Sequence, residues 1–212
     1  MIVLALDTAG ADCSAALFSS TEGRVLSCVT ETLGKGHAER LMDILDRALA
    51  EAGLELSAVE RIAVTVGPGS FTGIRVGVAA ARGLGLALGV EVRGISTLSV
   101  LAEEARKRGK AGDFVVAIDA RRDEVYFQHF PHGEPLLLSV SEARERVKGL
   151  DVDVIGSARP LLVDGAVSEG PDRYPAGIIA QLAVSGDNLP PKPLYLRGAD
   201  AKPQMGFAVT RL

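Results

Sequence analysis

Tryptophan is absent from the 212 residues, and aromatic side chains make up only 4% of them. A base-stacking platform for single-stranded nucleic acid is therefore not expected. Cysteine occurs twice, as Cys13 and Cys28, which excludes a disulfide framework. Positive charge is in deficit: 23 Lys and Arg stand against 27 Asp and Glu, a net charge of −4. Bulk charge then gives no strong attraction to nucleic acid. The three histidines, His37, His129 and His132, are too scattered for a metal triad, so no metal site is expected. The first residues, Met1 to Asp7, lack a basic leader and meet an acid after five apolar residues. They read as a strand and not as a signal peptide, which predicts a cytoplasmic protein.

Hydrophobic residues reach 47% and charged residues 24%, an ordinary globular balance. Runs rich in β-formers at 2–7, 14–19 and 24–32, bounded by Gly, Asp or Ser, predict successive hairpins. Helices are predicted from His37 to about Ala52, from the 67–73 loop to about Leu88, and from Ser96 or Thr97 through Arg108, with Gly53 and Gly89 as stops. Strands at 62–66 and 90–95 lie between them. The theme then restarts. Val3-Leu4-Ala5-Leu6-Asp7-Thr8 can be laid on Val115-Val116-Ala117-Ile118-Asp119-Ala120, each an apolar strand ending in Asp and followed by a second strand. An α/β chain of two related domains follows, 1–105 and 106–212, joined near a charged stretch at 103–110. The second half is shorter, with strand pieces at 135–140 and 152–155, helices at 141–148 and 176–185, and a proline-stiffened stretch at 190–193. The tail, 198–212, has no periodicity.

Gly67-Pro68-Gly69-Ser70-Phe71-Thr72-Gly73-Ile74-Arg75 lies between a predicted strand and a predicted helix. Free N–H groups at a helix start within a glycine loop favour an anion. Gly67, Gly69, Ser70, Thr72 and Gly73 are therefore candidate phosphate-loop residues. The loop lacks the Gly-Lys-Ser/Thr ending of a P-loop. Its spacing also resembles a dinucleotide loop, with Glu91 as the acid about 20 residues on. The competing structural reading is a tight turn with Ser70 or Thr72 as the helix N-cap. Asp7, followed by Thr8, and Asp119 each end a predicted buried strand. Such a position suits a carboxylate near Mg²⁺ and phosphates, or one that caps its own turn.

Two helices are more apolar than one covered face requires. On helix 37–52, Leu41, Ile44, Ala48 and Ala52 form one stripe, and Ala38, Met42, Leu45 and Leu49 a neighbouring one. On the next helix Gly73, Gly77, Ala81 and Gly85 recur every four residues, and Arg75 and Arg82 are its only charges. Such a row admits a close neighbour. A membrane span is not expected, because the apolar run falls short of about 18 residues and Arg82 breaks it. Either the two helices pack on each other, or they form a surface reserved for another subunit. In the second case His37, Glu39, Leu41, Met42, Ile44, Leu45, Ala48, Arg75, Gly77 and Ala81 are the partner-facing residues. Two copies would then make a four-helix bundle across a twofold axis, a homodimer.

The loop 67–77, together with Leu4-Ala5-Leu6-Asp7-Thr8, Gly36-His37-Ala38-Glu39-Arg40-Leu41, Gly94-Ile95-Ser96-Thr97-Leu98, the 119–126 stretch and Pro193-Leu194-Tyr195-Leu196-Arg197, resembles the TsaB (YeaZ) family of bacterial tRNA threonylcarbamoyladenosine biosynthesis subunits. The resemblance implies the actin/Hsp70/sugar-kinase fold with a reduced second domain. It implies a non-catalytic subunit that works with the catalytic paralogue TsaD and the ATPase TsaE, and that meets tRNA only through the complex. The paralogue's His-x-x-x-His metal motif falls here on Thr97 to Leu101, where neither end is a metal ligand. Asp7-Thr8-Ala9-Gly10 departs from the Asp-x-Gly of active kinases of this fold. No tightly bound cofactor is implied, and weak ATP or ADP binding stays open. The alternative is a small ATPase or sugar-kinase-like phosphotransferase using Asp7, Asp119 and the 67–73 loop.

Overall fold

The computed structural model describes residues 1–168, 170–186 and 188–197; the tail 198–212 lies outside the described residues. Strands β1 (Ile2–Asp7), β2 (Asp12–Ser19) and β3 (Arg24–Thr32) form an antiparallel meander. Helix α1 (His37–Ala52) crosses to β4 (Arg61–Gly67), which joins β1 in parallel. Helix α2 (Phe71–Leu88) then crosses to β5 (Glu91–Ser96), parallel to β4. The sheet order is β3-β2-β1-β4-β5. After α3 (Thr97–Lys107) the pattern repeats: β6 (Phe114–Arg121), β7 (Glu124–Phe130), β8 (Leu136–Ser139), α4 (Val140–Leu150) and β9 (Asp153–Ile155) give the order β8-β7-β6-β9. Where the first lobe carries α2 and a fifth strand, the second has α5 (Arg159–Leu162) and no fifth strand among the described residues, so its repeat stops one crossover early.

Local chemistry sets these boundaries. Gly53 and Gly89 end α1 and α2 in the left-handed region, φ 65° and 68°, where a side chain is unfavourable. Ser70, not Thr72, caps α2, its hydroxyl accepting from the Gly73 N–H at 3.2 Å. Ser96 stands at the N-cap of α3 without a side-chain hydrogen bond; the Thr97 hydroxyl donates to the Pro68 carbonyl at 2.6 Å. A capping box, Ser139 with Glu142, starts α4.

The 105/106 division follows the sheets but not the packing. Helix α6 (Ala176–Ser185) returns from the second half and lies on β1, β2 and β4 of the first lobe. Phe114, Val116, Ile118 and Phe130 of the second sheet belong to the same core as Leu4, Leu6 and Ile62 of the first. The other face of the second sheet has a smaller core, Val115, Ala117 and Phe127 with Ala143 and Val147 of α4. Strand β1 is covered on both faces, which is why it reads as an unbroken apolar run.

Helix α2 is 18 residues long and, by length and composition alone, apolar enough to cross a membrane. Its composition is accounted for by packing: Gly73, Gly77, Ala81 and Gly85 are buried against this chain's own sheet. The row that predicted a partner helix is therefore used internally. A Cβ on Gly77 would overlap the Thr8 hydroxyl, and one on Gly85 would overlap Val92.

Cys13 and Cys28 lie on adjacent strands out of register, Cys13 opposite Glu31 and Cys28 opposite Ala16, and both are free thiols. Burial pushes the Cys13 thiol up to about 12, whereas Cys28 is exposed. A thiol reagent at pH 8 is expected to titrate one group quickly in the native protein and the second only on unfolding. Two fast groups would contradict that packing.

Candidate functional site

A cleft of about 1240 Å³ separates the two lobes. On the first-lobe side its wall is the β1–β2 turn, the loop Pro68–Ser70 and the first turn of α2; on the other it is the end of β6 with Ser157. Segments 170–174 and 194–197 close its remaining sides.

Asp7 and Asp119 occupy equivalent strand ends, and each caps its own turn. The Asp7 carboxylate accepts from the Ala9 N–H at 3.0 Å, and that of Asp119 from the Arg121 N–H at 2.7 Å. They differ in setting. Asp119 lines the cleft and pairs with the Arg121 guanidinium at 2.9 Å. Asp7 is fully buried and does not line the cleft. One of its oxygens also accepts from the Thr65 hydroxyl at 2.6 Å; Oδ2 has no partner among the described residues. Desolvation raises its pKa to about 7, against the lowering effect of those hydrogen bonds.

The glycine loop is joined to the same turn. The Ser70 N–H donates to the Ala9 carbonyl at 2.8 Å, and the Thr8 hydroxyl to the Gly73 carbonyl at 2.7 Å. A Cβ on Gly69 would lie 2.5 Å from the Ala9 carbonyl oxygen, and one on Gly73 would overlap that of Thr8. Gly67 has φ +104° and faces Ile74. Thr72 is exposed and points away from the cleft wall. The N–H groups of Ser70 and Gly73 are bonded inside the chain, whereas those of Phe71 and Thr72, in the first turn of α2, have no partner among the described residues. The fold class implies a Mg²⁺-nucleotide at this place. These residues fit it poorly: the Asp7 carboxyl is sealed off with its pKa raised to about 7, and the Ser70 and Gly73 donors of the loop are already bonded. Glu91 stands at the far end of the sheet, paired with Arg61 and Arg93, so the dinucleotide reading is corrected. The antiparallel β1–β2–β3 meander excludes it as well.

On the second-lobe side of the cleft, sequence reasoning named Asp119 but missed the residues around it. Asp172 accepts from the Ser157 N–H at 2.8 Å and pairs with the Ser157 hydroxyl; the Ser157 oxygen also accepts from the Asp119 N–H at 3.0 Å. Burial raises the Asp172 carboxyl. Tyr174 is buried beneath Gly10, and burial raises its phenol too. Phe71, Tyr195 and Arg197 complete the rim. Residues 163–175 have no hydrophobic period, so nothing in their pattern marks them.

The predicted partner face needs correction as well. Leu41, Ile44, Leu45 and Ala48 are at most 2% exposed and pack on this chain's own sheet; His37, Gly77 and Ala81 are buried too. The first stripe of α1 and the Leu45–Leu49 half of the second point inward onto the sheet, while Ala38 and Met42 of the second stay exposed. Glu39, Met42 and Arg75 remain outward. The acceptor of Arg75 lies within the chain: its Nε donates to the Tyr195 hydroxyl at 2.9 Å, and its guanidinium lies 3.6 Å over the Phe71 ring. The face α2 turns outward is instead Arg75, Ala79, Arg82, Gly83, Leu86 and Ala87, with Leu86 87% exposed.

A duplicated five-element sheet unit, its second copy truncated, around an interlobe cleft defines a reduced member of the actin/Hsp70/sugar-kinase class. The family model for TsaD, tRNA N6-adenosine threonylcarbamoyltransferase, matches residues 27–153. The tRNA threonylcarbamoyladenosine biosynthesis protein TsaB of Buchnera aphidicola is 31% identical over 147 residues, 69% of each chain. TsaB of Haemophilus influenzae is 40% identical over 127 residues, 60% of this chain and 52% of that one. The crystal structure of YeaZ from Pseudomonas aeruginosa superposes with a TM-score of 0.76 at 32% identity, covering 92% of this chain and 99% of that one. The chain belongs to the TsaB (YeaZ) family.

Proposed function

We propose that this chain is a non-catalytic scaffold subunit in tRNA threonylcarbamoyladenosine formation. It holds TsaD in the arrangement that transfers threonylcarbamoyl to N6 of the tRNA adenosine beside the anticodon, with TsaE as the accompanying ATPase. It acts in the cytoplasm, and tRNA is met through the complex. The observation that carries this reading is the outward face of α2. Leu86 at 87% exposure and Phe71 at 58% share it with the small residues Ala79 and Gly83, and Met42 of α1 is 45% exposed. Small residues beside large apolar ones, with the exposed Arg75 and Arg82 among them, suit close helix–helix contact with a partner that supplies acceptors. TsaD shares the domain fold, so a pseudo-twofold pair is the natural geometry, and a second copy takes the same face when TsaD is absent.

The non-catalytic part is supported by the sealed Asp7 carboxyl and by the internal bonds of the Ser70 and Gly73 N–H groups. Nucleotide held by this chain alone is therefore weak or absent. Leu86→Glu tests the docking. Its side chain is solvated in the isolated chain, so stability should change by no more than about 0.5 kcal/mol. In a complex it would bury an unpaired carboxylate, costing several kcal/mol. We expect the variant to sediment as a monomer and to bind TsaD at least 100-fold more weakly in calorimetry. Unchanged affinity would overturn the assignment of this face. MgATP turnover by the chain alone would favour the phosphotransferase reading.

A further inference from the structure

Segment Leu189–Arg197 runs from one lobe to the other. It begins on the first lobe, where Gly94 and Leu189 exchange two backbone hydrogen bonds of 2.8 and 2.9 Å. The approach is so close that a Cβ on Gly94 would lie 2.6 Å from the Pro190 carbonyl oxygen. Pro190, Pro191 and Pro193 restrict φ, and the Lys192 N–H donates to the Pro190 carbonyl at 2.8 Å, so the segment bends once at 191–192 before it reaches Leu194. The Leu194 N–H then donates to the Val66 carbonyl at 2.8 Å. Tyr195 turns to the first turn of α2, its hydroxyl accepting from Arg75 at 2.9 Å and its ring centroid 5.9 Å from that of Phe71.

Two residues on, Arg197 reaches the second lobe. Its guanidinium donates to the Ala120 carbonyl at 3.0 Å and pairs with the Glu124 carboxylate. The turn between those two residues is unusual. Arg121, Arg122 and Asp123 all have positive φ, 62°, 57° and 59°, and none is glycine. Left-handed backbone is unfavourable for each of them, and three in succession persist only where surrounding contacts hold them. Arg197 and the carboxylate of Asp119, which accepts from the Arg121 N–H, are such contacts.

We propose that Leu189–Arg197 is a latch between the lobes: it anchors on β4, β5 and α2, grips the β6–β7 turn through Arg197, and so fixes the separation of the two cleft walls. The inference stands on contacts within the chain and does not depend on the partner assigned above. Between Tyr195 and Arg197 the strap bridges the cleft mouth from Arg75 to Ala120, so loosening either end frees both walls.

Amide hydrogen exchange on the full chain tests this. For Arg197→Ala we expect at least tenfold faster exchange at the 121–125 amides and, across the cleft, at Leu194 and Ser70, whose N–H groups are bonded to Val66 and Ala9. Acceleration confined to 121–125 would overturn the latch and leave Arg197 as a local turn support. Should Arg197→Ala lose its fold, seen as fast exchange in β1 and β4, Tyr195→Phe decides alone. It removes one hydroxyl at the first-lobe end and is expected to accelerate the Arg121 amide on the far side. An unchanged Arg121 amide in that variant would overturn the proposal.

Discussion

Gly73→Ala is expected to lower stability by about 3 kcal/mol or more, while Gly83→Ala, ten residues along the same helix, raises it. At Gly73 the added methyl would overlap the backbone carbonyl of Thr8, which cannot move without displacing the end of β1. Overpacking typically costs about 1–3 kcal/mol even where side chains can adjust. Here backbone must shift, and the bond from the Thr8 hydroxyl to the Gly73 carbonyl is strained as well. At Gly83 nothing lies within 4 Å. Alanine there restricts the unfolded chain and gains about 0.5–1 kcal/mol. Urea unfolding followed by far-ultraviolet circular dichroism measures both, since tryptophan is absent. If glycine at 73 served only the close approach of a ligand, the alanine variant would unfold at the wild-type midpoint.

Asp7→Asn is expected to change the pH dependence of stability. The folded-state pKa of about 7 lies above the ordinary 3.8, so the native protein holds this proton more tightly than the unfolded chain. The stabilisation is fully present below about pH 4 and is lost as pH rises toward 7. Asparagine keeps an oxygen for the Ala9 N–H and the Thr65 hydroxyl but does not ionise. Between pH 5 and 9 the wild type should therefore lose roughly 3 kcal/mol relative to the variant, at 1.36 kcal/mol per pK unit. Asp172, also raised by burial, contributes the same slope to both proteins and cancels. Unfolding midpoints at pH 5, 7 and 9 give the difference. Parallel curves would mean that the Asp7 carboxylate is solvated in the native state.

The repeat of strand, aspartate, turn and strand was legible because it is local: β1 and β6 are apolar runs, and their terminal Asp residues close Asx-type turns. Helix ends at Gly53 and Gly89 were legible for the same reason. Burial direction was not. The stripes on α1 and the small-residue row on α2 predict close packing, but periodicity does not say whether the neighbour is another subunit or the chain's own sheet. Leu41, Leu45 and Gly77 proved internal, whereas the true outward face, centred on Gly83 and Leu86, is a weaker pattern. The cleft contacts of Asp172 with Ser157, of Arg197 with Ala120 and of Tyr174 with Gly10 join residues 15, 77 and 164 positions apart and leave no periodic trace. The return of α6 onto the first sheet is likewise a property of packing and not of the 176–185 sequence.

As the scaffold proposed above, this chain would contribute a surface and no reacting group. Reconstituted threonylcarbamoyladenosine formation with TsaD, TsaE and tRNA, comparing Asp7→Asn with Leu86→Glu, tests it most directly. The predicted result is near wild-type modification with Asp7→Asn and a loss of at least 100-fold with Leu86→Glu at subunit concentrations near the wild-type dissociation constant. Loss of modification with Asp7→Asn while TsaD binding is intact, or full modification with Leu86→Glu, would contradict it.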